Sequence, residues 1–328
     1  MKKAEYSERG PVPQDAIEAI GFELPPLQAA EVLVEVLAAP INPSDVLTLT
    51  GHYGALPPLP AVGGNEGVGR VLEVGADVRS LAVGQRVLLP IGSGTWRTHL
   101  VADVRALIPL PNAGAPAQLA MLAVNPPTAS LLLSEFVHLE PGEWVIQNAA
   151  NSAVGSYLMQ LARLRGFNTV NVVRRESALE DARAAGGDVV LVDGETLSKR
   201  VREATGGALI RLGIDAVGGG ATERLAQCLA PGGMVVNYGA MSGDACKLSP
   251  PSLIFRDISL RGFWLARWLQ QENASRRAAL FGELAALIAD GTLWARIAAT
   301  FPIEEIKEAV AAAAQGERSG KIVLLPNG

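Results

Sequence analysis

Near the middle of the chain, a run of small residues separates an apolar segment from an amphipathic one. The apolar run VIQNA at 145–149 leads into Ala150, Asn151, Ser152, Ala153, Val154 and Gly155. Small side chains at a strand-to-helix turn let backbone N–H groups approach a pyrophosphate, which then lies at the N-terminus of the helix. Only the last glycine of a GxGxxG frame is present. The prediction of a dinucleotide site therefore rests on the position of these small residues between a strand and a helix.

Two arginines lie at the position where a dinucleotide-binding protein contacts the ribose of its cofactor. The next apolar run, TVNVV at 169–173, ends at Arg174 and Arg175. An NAD enzyme offers Asp or Glu to the 2′-hydroxyl at this point, whereas two guanidinium groups suit a 2′-phosphate. The pair therefore predicts NADPH as the cofactor. The alternative is a pair of solvated arginines at a strand end.

Residues that could hold a metal are few and scattered. The chain has three histidines, His52, His99 and His138, and two cysteines, Cys228 and Cys246. Neither cysteine belongs to a CxxC or a Cys/His cluster, so the sequence builds neither a zinc site nor a disulfide framework. We predict a site that works without a metal, in a protein of a reducing compartment.

The elements around the dinucleotide turn follow the rhythm of an α/β fold. Six buried runs alternate with helical stretches and predict a doubly wound parallel sheet, with strands at 145–149, 169–173, 189–192, 210–217, 234–239 and 259–264. Apolar residues at helical spacing give the helix after the small-residue turn a face for this sheet: Val154, Tyr157, Leu158, Leu161 and Ala162. Gly166 is predicted to end that helix.

The first third of the chain has a different pattern. From residue 31 to about 110, short β-type runs alternate with Gly and Pro, which predicts a mostly antiparallel, barrel-like unit. The closing run KIVLLP is predicted to return to this unit. We therefore expect one domain at 1–124 and 292–328, and a dinucleotide-binding Rossmann domain at 125–291.

Composition limits the partners. The 328 residues are 49% hydrophobic, and the formal net charge of −5 gives no general attraction for nucleic acid. Neither an N-terminal apolar stretch nor an uninterrupted apolar run of about 18 residues occurs, so a membrane is not expected as a partner. We predict a cytoplasmic protein.

Longer motifs carry a resemblance to a known family. The chain resembles the zinc-independent medium-chain dehydrogenases/reductases, and more narrowly the mitochondrial-type trans-2-enoyl-thioester reductases. The motifs are INPSD at 41–45, GHYGALPPLPAVGGNEGVG at 51–69, GTWRTH at 94–99, NPPTA at 125–129, GEWVIQNAANSAVG at 142–155, NVVRR at 171–175, YGAM at 238–241, RGFW at 261–264 and SGK at 319–321. The resemblance implies a GroES-like catalytic domain beside the Rossmann domain, and a homodimer.

The same resemblance implies an activity and its residues. It implies NADPH-dependent reduction of the C=C bond of trans-2-enoyl thioesters, with hydride added at the β-carbon and a proton given to the α-carbon by Tyr53. A protonated phenol can act as this general acid, and His52 is the rival donor. The implied cofactor contacts are Asn125, Asn151, Ser152, Ala153, Val154, Gly155, Arg174, Arg175, Tyr238, Gly239, Ala240, Met241, Phe263, Trp264, Leu265 and Lys321. The implied substrate side is Asn42, Asn65 and Trp96.

Three functions stay open. The first is an enoyl reductase acting on CoA or acyl-carrier-protein thioesters, for which a basic cluster at Arg261, Arg267, Arg276 and Arg277 is a candidate docking surface. The second is an NADPH quinone oxidoreductase of the same superfamily. The third is a catalytically silent NADPH-binding sensor or structural protein. The segment 259–264 is predicted to be a sheet edge, through which two subunits could pair.

Overall fold

The computed structural model describes residues 1–315 and 319–328, which form two compact units. One unit comprises Met1–Val124 with Ala278–Gly328, and the other comprises Asn125–Arg277. The sequence placed the second boundary after Gly291, which closes a helix. In the structure the boundary falls inside that helix, Ala274–Ala289, whose later residues Phe281 and Leu284 are buried.

The elements follow in chain order. The first part of the chain contains β1 (Lys2–Tyr6), β2 (Glu18–Gly21), β3 (Glu31–Ile41), α1 (Pro43–Thr50), β4 (Ala61–Val62), β5 (Val68–Val74), β6 (Arg86–Leu88), β7 (His99–Asp103), β8 (Ile108–Pro109) and α2 (Pro116–Leu119). The second unit contains α3 (Asn125–Leu132), β9 (Trp144–Gln147), α4 (Ala153–Leu164), β10 (Asn168–Val173), α5 (Leu179–Ala184), β11 (Val189–Val192), α6 (Leu197–Ala204), β12 (Ile210–Asp215), α7 (Gly219–Cys228), β13 (Met234–Asn237), β14 (Ser259–Gly262) and α8 (Leu265–Gln271). The chain closes with α9 (Ala274–Ala289), β15 (Ile297–Phe301), α10 (Ile306–Ala314) and β16 (Lys321–Leu324).

Two sheets build the first unit, and most of their pairs are antiparallel. The larger has the order β15-β16-β3-β5-β6-β8, with β7 also paired to β3, and the smaller has the order β2-β1-β4. Only the pair β15–β16 is parallel among these described strands. The closing strand β16 pairs with β3, with Ile322 opposite Ile41, so the predicted return of the tail is confirmed.

The long strand β3 shows why this unit folds as a sheet over a core. Its sequence EVLVEV alternates, and Val32, Val34 and Val36 are fully buried while the residues between them are half-buried. Because alternate residues of a strand point to opposite faces, one face of β3 enters the apolar core. The predicted antiparallel fold class is confirmed for this unit.

The second unit is a single parallel sheet of six strands. Their order is β11-β10-β9-β12-β13-β14, so β9, the first strand of the unit, lies in the middle of the sheet. Strands β10 and β11 follow on one side of β9 and strands β12 to β14 on the other, which is the strand-order reversal of a doubly wound sheet. Four helices, α4 to α7, connect the successive strands from β9 to β13. In α4, the helix predicted from apolar spacing, Tyr157, Leu158 and Leu161 are buried as expected. The doubly wound fold is therefore confirmed, and four of its six strands end two residues before the predicted limits.

Strand β14 lies at the outer edge of the parallel sheet, and all four of its residues are exposed. The predicted sheet edge within 259–264 is therefore present. Across residues 1–315 and 319–328, no helix is both long enough and apolar enough to cross a membrane.

Candidate functional site

The turn between β9 and α4 has the geometry of a phosphate-binding turn. Ser152 is the N-cap of α4, and its Oγ accepts a hydrogen bond from Gly155 N at 3.1 Å. A Cβ built on Gly155 would lie 2.5 Å from Ala150 O, so only glycine fits there. The N-terminus of this 12-residue helix is thus packed close to the strand and suits an anionic group.

The neighbouring residues of the turn are partly accessible. Asn151 and Ala153 are half-buried, whereas Val154 is buried. The arginines follow the end of β10: Arg174 is exposed, and Arg175 is half-buried with its Nε donating to Ser177 Oγ at 2.9 Å. The close turn and the guanidinium pair fit a dinucleotide that carries a 2′-phosphate.

A buried carboxylate joins three strand ends at the carboxyl edge of this sheet. Asp215, the last residue of β12, accepts hydrogen bonds from Asn148 Nδ2 at 2.7 Å and from Asn237 Nδ2 at 3.1 Å. Tyr238 N donates to Asp215 O at 2.9 Å, and the Tyr238 phenol is hydrogen-bonded to Ser152. Burial raises the pKa of the Tyr238 phenol, which the Ser152 hydrogen bond opposes and Asp215 reinforces. Tyr238 is therefore a neutral hydrogen-bonding group beside the cap of α4.

The other predicted cofactor residues follow the neighbouring strand ends. Gly239, Ala240 and Met241 come after β13, and a Cβ on Gly239 would lie 2.8 Å from Ala216 O. Phe263, Trp264 and Leu265 come after β14. Because the strands are parallel, these segments leave the sheet at the edge that also carries the α4 turn.

Two cofactor candidates lie elsewhere. Asn125 is buried at the start of α3, a helix that packs against α4. Lys321 begins β16 in the first unit, and its Nζ donates to Asn42 Oδ1. The structure thus gathers the cofactor candidates of the second unit along one sheet edge and places Lys321 with residues of the predicted substrate side.

Tyr53 lies just beyond the C-terminus of α1. This helix begins at Asn42 as N-cap and ends at Gly51, whose φ of 80° is the left-handed conformation that glycine adopts readily. The backbone N–H groups of His52 and Tyr53 both donate to Leu47 O, at 2.8 Å and 3.2 Å. Tyr53 is half-buried, whereas His52 is exposed, with Nδ1 3.1 Å from Thr50 Oγ1.

A cluster of buried polar side chains lies at the N-terminal end of α1. Asp45 Oδ2 accepts a hydrogen bond from Asn42 N at 2.7 Å, and Asp45 Oδ1 accepts one from Asn65 N at 3.0 Å. Asn42 Nδ2 donates to Glu66 Oε1 at 2.7 Å, and Lys321 completes the cluster through Asn42 Oδ1. Asn65, predicted for the substrate side, is half-buried and contacts Asp45 through both its backbone N–H and its side chain.

Burial dominates the electrostatics of this cluster. It raises the pKa of Glu66 well above its usual range, and the Lys321 ammonium and the Asn42 hydrogen bond offset only part of that rise. The pKa of Asp45 is also raised by burial, against hydrogen bonding from Asn42 N and the charge of Lys321. The cluster therefore holds a proton more tightly than exposed carboxyl groups would.

Trp96, also predicted for the substrate side, has the contacts of a core residue. It is 0% exposed and its Nε1 donates to Pro40 O at 3.4 Å. Its ring lies against Gly63 and Gly64, where an added Cβ would come within 2.2 Å and 2.5 Å of a neighbouring side-chain atom. Contact with a substrate stays a prediction for Trp96.

Sequence reasoning did not single out Asp45 or Asp215 for this site. The signal for Asp45 was the spacing Asn-x-x-Asp around a proline, which is typical of a helix start. The signal for Asp215 was an acidic residue at the end of a buried strand. In the part of the chain that the structure describes, no three His, Cys, Asp or Glu side chains lie close enough to hold a metal ion.

Two family models match the two parts of the chain. The alcohol dehydrogenase GroES-like domain matches residues 28–112, and the zinc-binding dehydrogenase family matches residues 153–280. The mitochondrial enoyl-acyl-carrier-protein reductase of Rattus norvegicus is 39% identical over 306 residues, which cover 92% of this chain and 82% of that protein.

Solved structures of two enzyme types are also similar. The complex of Etr1p with NADP and crotonyl-CoA has a TM-score of 0.89 and 27% identity, with 99% of each chain covered. Etr1p is a mitochondrial 2-enoyl thioester reductase of Candida tropicalis. A quinone oxidoreductase of Pseudomonas syringae pv. Tomato DC3000 has a TM-score of 0.84 and 26% identity, with 99% of each chain covered.

Proposed function

We infer that this chain, which belongs to the enoyl reductases of the medium-chain dehydrogenase/reductase superfamily, reduces the C=C bond of trans-2-enoyl thioesters with NADPH. The observation that carries this inference is 39% identity with an enoyl-acyl-carrier-protein reductase over 92% of the chain. The relatives and the Etr1p complex with NADP and crotonyl-CoA support both the substrate class and the cofactor.

The residues of the second unit suit the binding of the cofactor. The α4 turn around Ser152 and Gly155 would hold the pyrophosphate, and Arg174 with Arg175 would hold the 2′-phosphate. When bound, NADPH supplies the hydride for the β-carbon of the substrate. The hydrogen bond between Tyr238 and Ser152 keeps the cap of α4 in place without adding a charge.

Tyr53 is proposed as the general acid of the first unit. An enolate formed from an α,β-unsaturated thioester needs a proton at the α-carbon, and a phenol that is protonated at neutral pH can give it. The position of Tyr53 just after α1, half-buried and with its backbone held by Leu47 O, supports this role. His52 is more exposed and is the rival donor.

A quinone oxidoreductase activity is the second candidate, because a quinone oxidoreductase shares the fold at a TM-score of 0.84. The decisive experiment follows NADPH absorbance with crotonyl-CoA, 2-hexenoyl-CoA and a naphthoquinone in parallel, and repeats each assay with NADH. We expect turnover of the enoyl thioesters and about tenfold better use of NADPH. Turnover of the quinone alone would favour the second candidate, and binding of NADPH without any turnover would favour a silent sensor.

The arginine pair allows a matched control of the cofactor preference. Arg174→Ala should narrow the preference for NADPH, because one of the two proposed 2′-phosphate partners is lost. Arg163→Ala, which removes an exposed arginine of α4, should leave the preference unchanged. Equal use of NADPH and NADH by the unaltered protein would contradict the proposed role of the pair.

The choice between CoA and carrier-protein thioesters rests on charge. Arg276 forms ion pairs with Glu135 and Glu272 and lies 5.3 Å from the centre of the Trp268 ring. Its charge is therefore partly compensated within the unit, so it offers less attraction to an acidic carrier protein than the sequence suggests.

Assembly and location belong to the same proposal. The exposed edge strand β14, together with Ile254 and Phe255 at 71% and 81% exposure, supports a homodimer that pairs this edge with its two-fold mate. A cytoplasmic location stays a prediction, since the relatives are named as mitochondrial proteins.

A further inference from the structure

The cluster at the N-terminal end of α1 buries four polar or ionisable side chains. Asn42, Asp45, Glu66 and Lys321 are 3%, 3%, 0% and 5% exposed. Taking charged side chains out of water costs several kcal/mol per ion unless partners compensate them. A core position filled by such groups is therefore costly, and apolar side chains of similar size would be the ordinary alternative.

Hydrogen bonds of the cluster join two points that lie far apart along the chain. Asp45 accepts from Asn42 N with one oxygen and from Asn65 N with the other, at 2.7 Å and 3.0 Å. The Asn42 side chain reaches Glu66 Oε1 at 2.7 Å. Residues 43–64 thus leave the cluster at Asn42 and return to it at Asn65. The cluster therefore holds the two ends of this segment together.

Tyr53 is carried by the segment that the cluster closes. The N-terminus of α1 is held at Asn42 and Asp45, and the last turn of α1 holds Tyr53 through Leu47 O. On its return, the segment packs Gly63 against the Trp96 ring, where no Cβ would fit. The backbone that presents Tyr53 is therefore attached to the buried cluster at both ends.

Lys321 supplies the positive charge of the cluster from the other end of the chain. Its Nζ donates to Asn42 Oδ1, the amide whose nitrogen donates to Glu66. The same ammonium lowers the pKa of both Glu66 and Asp45, which burial raises. Without Lys321, two buried carboxyl groups would face one another with no cation from the described residues of this cluster.

We propose that Lys321 is a positioning residue whose ammonium compensates the buried carboxyl groups at the base of segment 43–64 and so fixes the conformation from which Tyr53 gives its proton. The proposal rests on the role of Tyr53 in the proposed function. It gives Lys321 a task within the first unit that does not require contact with the cofactor.

The test compares Lys321→Met with Lys307→Met, which removes an exposed lysine of α10 in the same unit. In the protein without ligands, Lys321→Met should increase deuterium uptake in segment 43–64 and at the flanking amides of Asn42 and Asn65. With crotonyl-CoA, kcat should fall about tenfold while KM for NADPH changes less than about threefold, because orientation and not binding is lost. Lys307→Met should change neither quantity.

A double variant tests charge compensation directly. Adding Glu66→Gln to Lys321→Met replaces the ionisable carboxyl group with a neutral amide that keeps an oxygen for Asn42, so it should restore part of the protection and of kcat. If Lys321→Met does not fold but the double variant does, the result again supports the proposal that Lys321 compensates the buried carboxyl groups. If neither folds, Lys321 acts through packing and the proposal is wrong.

Other outcomes separate this proposal from the proposed function. Unchanged deuterium uptake in Lys321→Met would overturn the positioning role. If KM for NADPH also rose in that variant, Lys321 would instead be a residue that binds the cofactor. Failure of the unaltered protein to reduce any enoyl thioester would overturn the proposed function, while the exchange experiment would still decide whether Lys321 holds the segment.

Discussion

The two units each bury carboxyl groups near residues proposed for function, but they compensate them in different ways. In the second unit Asp215 is surrounded by neutral donors: Oδ1 accepts from Asn148 Nδ2, Val217 N and Gly218 N, and Oδ2 accepts from Thr222 Oγ1 and Asn237 Nδ2. In the first unit Glu66 and Asp45 share the charge of one cation, Lys321, and Asp45 also accepts hydrogen bonds from Asn42 N and Asn65 N.

This difference matches the tasks proposed for the two units. Many neutral donors spread the stabilisation of Asp215 over several strand ends and turns, which makes a rigid edge for a bound dinucleotide. One cation shared by two carboxyl groups concentrates the charge compensation, so at the ends of the Tyr53 segment that compensation comes from a single residue. Changes in the first unit should therefore affect turnover and pH dependence, and changes in the second should affect stability and cofactor binding.

The largest effect is expected at Tyr53. Tyr53→Phe removes the phenolic proton but keeps the ring, so kcat with crotonyl-CoA should fall about 100-fold, equivalent to about 2.7 kcal/mol. Binding of NADPH, measured by fluorescence titration, should be unchanged because Tyr53 is not one of the proposed cofactor residues. His52→Gln is the matched control and should keep most of the activity. Full activity in Tyr53→Phe with loss in His52→Gln would move the acid to His52.

The fold could be predicted from the sequence because its signals are local and repeated. Alternating valines in β3 and the helical spacing of Tyr157, Leu158 and Leu161 each specify which face is buried. The α4 turn could also be located, since its small residues follow a strand and precede a helix. These features depend on neighbours within a few positions of the chain.

The buried clusters could not be predicted in the same way. Lys321 meets Asn42 across 279 positions, and no local pattern shows that a lysine at the start of the last strand will be buried. Asp215 likewise draws its partners from the ends of β9 and β13. Side-chain pairing of this kind depends on the register of strands that are distant in sequence, which a single sequence does not specify.

An effect of intermediate size is expected on the pH dependence of stability. Burial raises the pKa of Glu66 to about 8 from an ordinary 4.5, so the folded protein keeps a proton that the unfolded chain releases. The free energy of unfolding should therefore fall as the pH rises from about 4.5 to about 8. Glu66→Gln has no proton to lose there and should reduce this fall by about 1.4 kcal/mol or more, since one pKa unit is worth about 1.4 kcal/mol and the shift exceeds one unit.

Urea unfolding at several pH values measures that contribution. The control is Glu195→Gln, which replaces an exposed carboxylate of the second unit and should leave the slope unchanged. Asp45 also has a raised pKa, so part of the fall should remain in Glu66→Gln. An identical slope in Glu66→Gln and the unaltered protein would show that Glu66 contributes no pH dependence, and the contrast between the units would lose its electrostatic basis.

The smallest effect is expected where one of the donors to Asp215 is removed. Thr222 is fully buried and its Oγ1 donates to Asp215 Oδ2 at 2.7 Å. Thr222→Val keeps the shape but deletes the hydroxyl, and because four other donors remain on the carboxylate, the free energy of unfolding should fall by only about 1 kcal/mol. Thr222→Ser keeps the hydroxyl and separates the lost hydrogen bond from the lost methyl group. A loss of more than about 3 kcal/mol in Thr222→Val would mean that Asp215 also relies mainly on a single partner, so that both units concentrate their compensation.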